Sequence, residues 1–207
     1  SLFSYGTQYG AKVAHGPTLT SISQEPSWSQ ARMRLWLEAK PLAPIQGLGL
    51  RSGVGYGKLW VANLTVLCHL LGTPHMPDLN QAVLICEDIN EPIYKIDRLF
   101  SHLRLSGVLD KLSGLGLGRF DLVQNESWYH QIESLALSHV KHLDYPVVSR
   151  LPVGHGYLGN MVMPLNQAAM IDANKGLVIL DAQDKSYKTK TNNSRHKKAV
   201  IHNATVD

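Results

Sequence analysis

The chain has 207 residues, 44% hydrophobic and 17% charged, which suits a folded protein with a sizeable core. No apolar run approaches the roughly 20 residues that cross a bilayer, so no membrane partner is expected, and the opening SLFSYGTQYG lacks the basic and apolar regions of a secretory signal. The net charge of +4 is that of residues 182–207, whose six Lys and Arg outnumber Asp184 and Asp207; the remainder is neutral, lacks a basic face, and is not expected to bind nucleic acid.

With no initiator Met, the sequence is expected to begin inside a longer one. LFSYGTQYG reads as the end of a helix stopped by Gly10, and KVAHGP as a short strand running into a turn. SWSQARMRLWLEAK carries Trp28, Ala31, Leu35 and Trp36 at helical spacing, which predicts that these form its buried face. The Gly- and Pro-rich PLAPIQGLGLRSGVGYGKLW predicts a linker over 46–60, between a first unit (1–45) and a second (61–181). Asn63 is placed to cap a short helix that Gly72 ends, and AVLIC is a buried strand. PIYKIDRLFSHLRLSG is a helix with Ile93, Ile96, Leu99, Phe100 and Leu103 on one face. Strand-like RFDLV, a helix near 127–139, strand-like PVVSRLPV and late β segments in MVMPLNQAAMID and KGLVIL follow. Strands alternating with helices predict an α/β fold. The polar, basic residues 182–207 predict a disordered tail.

Several motif readings fall away. GLGLRSGVGYG never gives the G-x-G-x-x-G order, and Lys58 is followed by Leu59 rather than Ser or Thr, so no nucleotide cofactor is expected. There is no H-E-x-x-H and no C-x-x-C; His139 and His142 stand one helical turn apart but read as a solvated helix face rather than a metal site. Cys68 and Cys86 are isolated, buried thiols in a chain expected to stay reduced. Asn63 and Asn125 open glycosylation sequons that carry little weight without a signal peptide.

Glu87 and His155 are different. Glu87 follows the apolar run Ala82–Cys86 and His155 follows Val147–Val153, so both should emerge at strand ends, where α/β proteins assemble their sites. Glycines 154 and 156 allow backbone conformations closed to other residues. A carboxylate that orients a histidine, which activates a hydroxyl, is the usual solution for attack on an acyl carbon. A strand-end Glu and a loop His that never meet would give the same spacing.

CEDINEPIYKIDRLFSHLRLSGVL and LPVGHGYLGN together resemble the LD-carboxypeptidases, or muramoyltetrapeptide carboxypeptidases, a serine peptidase family that includes the microcin C self-immunity peptidases. HGPTLTS, ANLTVLCHLLGTP and NMVMPLNQAAMIDANKGLVIL extend the resemblance, in the family's order, from about residue 1 to about residue 180. It implies a cytoplasmic, homodimeric enzyme without cofactor or metal that releases the terminal D-alanine from murein tetrapeptides or related peptides. It implies a swivelling-type C-terminal α/β domain, here preceded by the last part of a Rossmann-like N-terminal domain that bears the nucleophile. By the same resemblance Glu87 and His155 are the carboxylate and base of a Ser-His-Glu triad, and His15, Asn63 and Gly154 are candidate cleft-lining residues. The family's nucleophile turn would lie just before Ser1; Ser4, in FSYG, is matched too far into its helix. An inactive fragment, or a non-catalytic muropeptide-binding or assembly module, is the alternative. In an enzyme with its serine, Glu87→Gln and His155→Ala are expected to cost turnover with little change in stability.

Overall fold

The longest apolar stretches of the sequence become neighbours in one sheet. The structure is a computed structural model and describes residues 2–120, 126–155 and 159–180. Its elements in chain order are α1 (Leu2–Gln8), β1 (Ala14–His15), α2 (Ser27–Leu37), β2 (Ile45–Gln46), β3 (Leu48–Arg51), β4 (Val54–Asn63), α3 (Leu64–His69), β5 (Val83–Glu87), α4 (Ile93–Leu105), β6 (Gly114–Leu117), α5 (Glu126–His139), β7 (Val147–Ser149), β8 (Met163–Pro164), β9 (Ala168–Asp172) and β10 (Leu177–Leu180). β1 and β8 form a two-stranded ribbon, and the other eight strands form one sheet in the order β2-β10-β9-β4-β5-β6-β7-β3. β4, β5, β6 and β7 are parallel in its centre, and β9, β10, β2 and β3 join antiparallel.

The two edges of this sheet are consecutive in the chain. Only Gly47 separates β2 from β3, so the sheet curls until its edges meet. Curling that tightly brings backbone against backbone. A Cβ on Gly49 would stand 1.9 Å from the Ala173 carbonyl oxygen, and one on Gly57 1.9 Å from that of Gln81. The glycines of 46–60 therefore mark close approach, and the expected linker is instead largely strand, in β2, β3 and β4.

The core lies between this sheet and α3, α4 and α5. Val83, Leu84, Ile85 and Cys86 of β5 are fully buried, as are Ile96, Phe100 and Leu103 of α4. Each large side chain so buried contributes about 1.5–3 kcal/mol. Asn63 caps α3, its Oδ1 accepting the Val66 N–H at 3.0 Å.

Three expectations need correction. α2 turns Ser29 and Arg32 inward, leaving Ala31 exposed, Trp36 half-buried, and Trp28 and Leu35 39% and 36% exposed. The reason is unpaired carbonyls: Arg32 donates to the Val162 and Ala43 oxygens at 3.0 and 2.9 Å, and Ser29 to that of Asn160 at 2.7 Å, needs no apolar face could meet. Of the strand expected in RFDLV, Arg119 and Phe120 lie outside any strand and 121–123 lie outside the described residues, while a strand precedes them at Gly114–Leu117. Its glycines hid it: Cβ atoms at Gly114 and Gly116 would meet Ile171 at 2.3 Å and Ile85 at 2.7 Å. His139 is buried rather than solvated, paired with Asp97 at 2.7 Å and stacked on Phe100. Residues 121–125, including Asn125, and the 182–207 tail lie outside the described residues.

Candidate active site

β4 and β5 end together, with Asn63 registered opposite Glu87. After β7 the chain keeps its alignment: Leu151 donates to the Leu117 oxygen at 3.1 Å, and Arg119 to that of Val153 at 2.8 Å. These backbone bonds carry Gly154 and His155 to the end of β5. His155 Nδ1 meets Glu87 Oε2 at 3.0 Å. Glu87 is 0% exposed, whereas the His155 side chain is 54% exposed.

The glycine before His155 is required by this contact. Gly154 adopts φ +106°, and a Cβ there would stand 2.7 Å from Glu87 Oε2. No other residue lets the backbone lie so close to the carboxylate in that conformation. Gly156 is outside the described residues.

Burial alone would push the Glu87 carboxyl up, because it disfavours the charged form. The imidazoles of His15 and His155 outweigh it and hold the group down to about 2. The two imidazoles are not equivalent, since His15 Nε2 stands 3.7 Å from Oε1, beyond hydrogen-bond range. In return, the hydrogen bond to Glu87 raises His155 above its ordinary 6.5, against a smaller opposing effect of burial. As the acceptor for Nδ1–H, Glu87 fixes the tautomer that leaves Nε2 available as a base. Among the described residues no other group hydrogen-bonds His155.

The candidate residues thus separate. His15 and Gly154 lie against Glu87. Asn63 stands one strand away and does structural work, capping α3 while donating from Nδ2 to Asp88 Oδ1 at 2.8 Å. Asp88 is nearly saturated: its Oδ2 also accepts the Thr65 N–H and hydroxyl at 2.9 and 2.8 Å, and its Oδ1 the Ile89 N–H at 2.9 Å. Ser4 is buried, and its hydroxyl donates to the His75 carbonyl at 2.5 Å rather than to His155. Among the described residues, no group of three or more His, Cys, Asp or Glu side chains is arranged to hold a metal. No helix among them is long and apolar enough to cross a membrane.

Sequence reasoning missed the residues that hold the His155 loop. Asn160 Oδ1 accepts the Gly154 N–H at 3.0 Å, while the Asn160 N–H donates to Glu25 Oε2 at 2.8 Å. Arg119, buried and lowered by that burial, donates to the Gly159 carbonyl. A Cβ on Gly159 would meet Pro26 at 2.6 Å and Trp28 at 2.7 Å. The one available signal was the position of Asn160 at the end of LPVGHGYLGN.

The LD-carboxypeptidase C-terminal domain family matches residues 56–171. A protein of Synechocystis sp., provisionally described as a carboxypeptidase, is 38% identical over 164 residues, 78% of this chain and 54% of its own length. The murein tetrapeptide carboxypeptidase of Pseudomonas aeruginosa is 27% identical over 188 residues, 84% of this chain and 60% of its own. The crystal structure of muramoyltetrapeptide carboxypeptidase from Oxalobacter formigenes superposes with a TM-score of 0.73 at 26% identity, covering 86% of this chain and 64% of that one. An α/β fold of this kind, with these matches, defines the class: the chain belongs to the LD-carboxypeptidase family. It spans from 54% to 64% of the length of these relatives.

Proposed function

We propose that the chain supplies the base and the orienting carboxylate of a serine-type LD-carboxypeptidase that releases the terminal D-alanine from murein tetrapeptides. The observation that carries this reading is the 3.0 Å contact between wholly buried Glu87 and half-exposed His155. His155 Nε2 takes the proton of a serine hydroxyl as its oxygen attacks the carbonyl carbon before D-alanine. The imidazolium formed is stabilised by the Glu87 carboxylate, then returns the proton to the leaving amine. Water, deprotonated by the same nitrogen, hydrolyses the acyl-enzyme and restores the serine.

The serine is contributed by a segment that precedes Ser1 in the longer protein, on the nucleophile domain of which residues 1–45 are the last part. The eight-stranded sheet and its helices form the C-terminal domain, which takes in β2, β3 and β4 ahead of the expected 61–181. The murein-acting relatives support the substrate class, and family resemblance supports a cytoplasmic homodimer.

The test is D-alanine release from a murein tetrapeptide by the 207-residue chain and by the same chain extended upstream through its own gene. Release by the extended chain alone is the expected result, falling about 10⁴-fold in its His155→Ala variant. Release by the 207-residue chain, or by neither, overturns the reading.

A further inference from the structure

We propose that His15 is a positioning residue for Glu87: its Nε2–H, held by β1, faces Oε1 and keeps the carboxylate turned so that Oε2 meets His155. The role rests on Glu87 and His155 acting as the pair proposed above.

The observation behind it is a mutual vacancy. Among the described residues, Glu87 Oε1 is buried and makes no hydrogen bond, and His15 Nδ1 is likewise buried without a partner. A buried carboxylate oxygen left unpaired is costly, so a donor must be at hand. His15 Nε2, at 3.7 Å, is that donor, and less than 1 Å of movement brings it into hydrogen-bond range. The unpartnered Nδ1 selects the Nε2–H tautomer, since among the described residues a proton on Nδ1 would have no acceptor.

The fold gives His15 little freedom to do anything else. It is 7% exposed, with the Phe3 ring edge-on at 6.2 Å. β1 is bonded to β8, His15 registering with Met163, and β8 follows directly on the loop that carries His155. The ribbon therefore brings both imidazoles to one carboxylate, one on each oxygen. The other charged groups nearby are Asp88, which acts on His155, and Arg119 and Glu25, which hold the loop at Gly159 and Asn160.

Without His15 nothing among the described residues holds Oε1, the carboxylate is free to turn, and the Oε2 contact that raises His155 weakens. The experiment is NMR titration of the His155 ring in the 207-residue chain, unsubstituted and as His15→Ala and His15→Gln. The Ala variant is expected to lower the midpoint by about half a pH unit, roughly threefold in proton affinity. Gln, which keeps a donor near the position of Nε2, is expected to restore it. An unchanged or raised midpoint in a folded His15→Ala chain overturns the proposal. A proton found on His15 Nδ1 in the unsubstituted chain overturns it whatever the variants do. Because the titration reads the Glu87–His155 pair directly, it stands even if no D-alanine is released in the peptidase assay.

Discussion

Glu87→Gln should destabilise the protein, and by an amount that depends on pH. The glutamine keeps the size of the side chain and mimics its neutral form. In the folded protein the carboxyl is lowered from 4.5 to about 2. At about 1.4 kcal/mol per pH unit, that depression is worth about 3 kcal/mol at pH 7, and Glu87 is wholly buried, so solvent screening removes little of it. The sign follows from the direction. A depressed carboxyl stabilises the fold above its unfolded value, and that stabilisation is lost as pH falls from about 4.5 toward 2. More than half should be gone at roughly pH 3. Urea unfolding of both proteins from pH 7 down to pH 3 measures the difference directly. The expected curve is a gap of about 3 kcal/mol that narrows below pH 4.5. A gap that stays constant, or is absent at pH 7, would show that Glu87 titrates as an ordinary surface carboxyl and refute the electrostatic account of the site. The sequence-based expectation of little change in stability omitted this contribution.

His155 works in the opposite direction. Its raised pKa means that its part of the stability is complete below 6.5 and is lost as pH rises through the folded midpoint, and Glu87→Gln should move that midpoint down in an NMR titration. Because the proposed base acts when unprotonated, the acid limb of kcat/KM in the extended enzyme should lie above pH 6.5 and shift to lower pH in any residual activity of Glu87→Gln. Gly154→Ala places a Cβ at φ +106° and 2.7 Å from Glu87 Oε2. Its expected cost is about 1–3 kcal/mol from the backbone alone, with the His155 midpoint falling toward its ordinary value as the contact opens; an unchanged unfolding midpoint and titration would show that the loop tolerates a side chain there.

The parts of the fold legible in the sequence were those governed by apolar periodicity. Ile96, Phe100 and Leu103 recur at helical spacing because α4 buries one face, and Val83–Cys86 is a continuous apolar run because β5 is covered on both sides. The misread parts share a different cause. In 46–60 and in GLGL at 114–117, glycine stands where two backbones nearly touch, and glycine read locally means a turn. α2 was misread because three long-range carbonyls decide which face is buried, and no local pattern encodes them. The candidate site was legible in its chemistry, as a carboxylate and a histidine each ending an apolar run. Their meeting was not, since it depends on strand order.

Strand order also explains why the pair needs residues outside the segment matched by the family. Glu87 and His155 both lie within 56–171. Yet the groups set against them come from upstream: His15 facing the second carboxylate oxygen at 3.7 Å, and Glu25 and Ser29 bonded to the backbone of Asn160. Asn160 in turn accepts the N–H of Gly154, the residue adjoining His155. Glu25 and Ser29 thus reach the backbone beside the imidazole through Asn160. A segment that carries neither proposed catalytic group consequently sets how firmly the base is held. The two parts of the chain build one site between them.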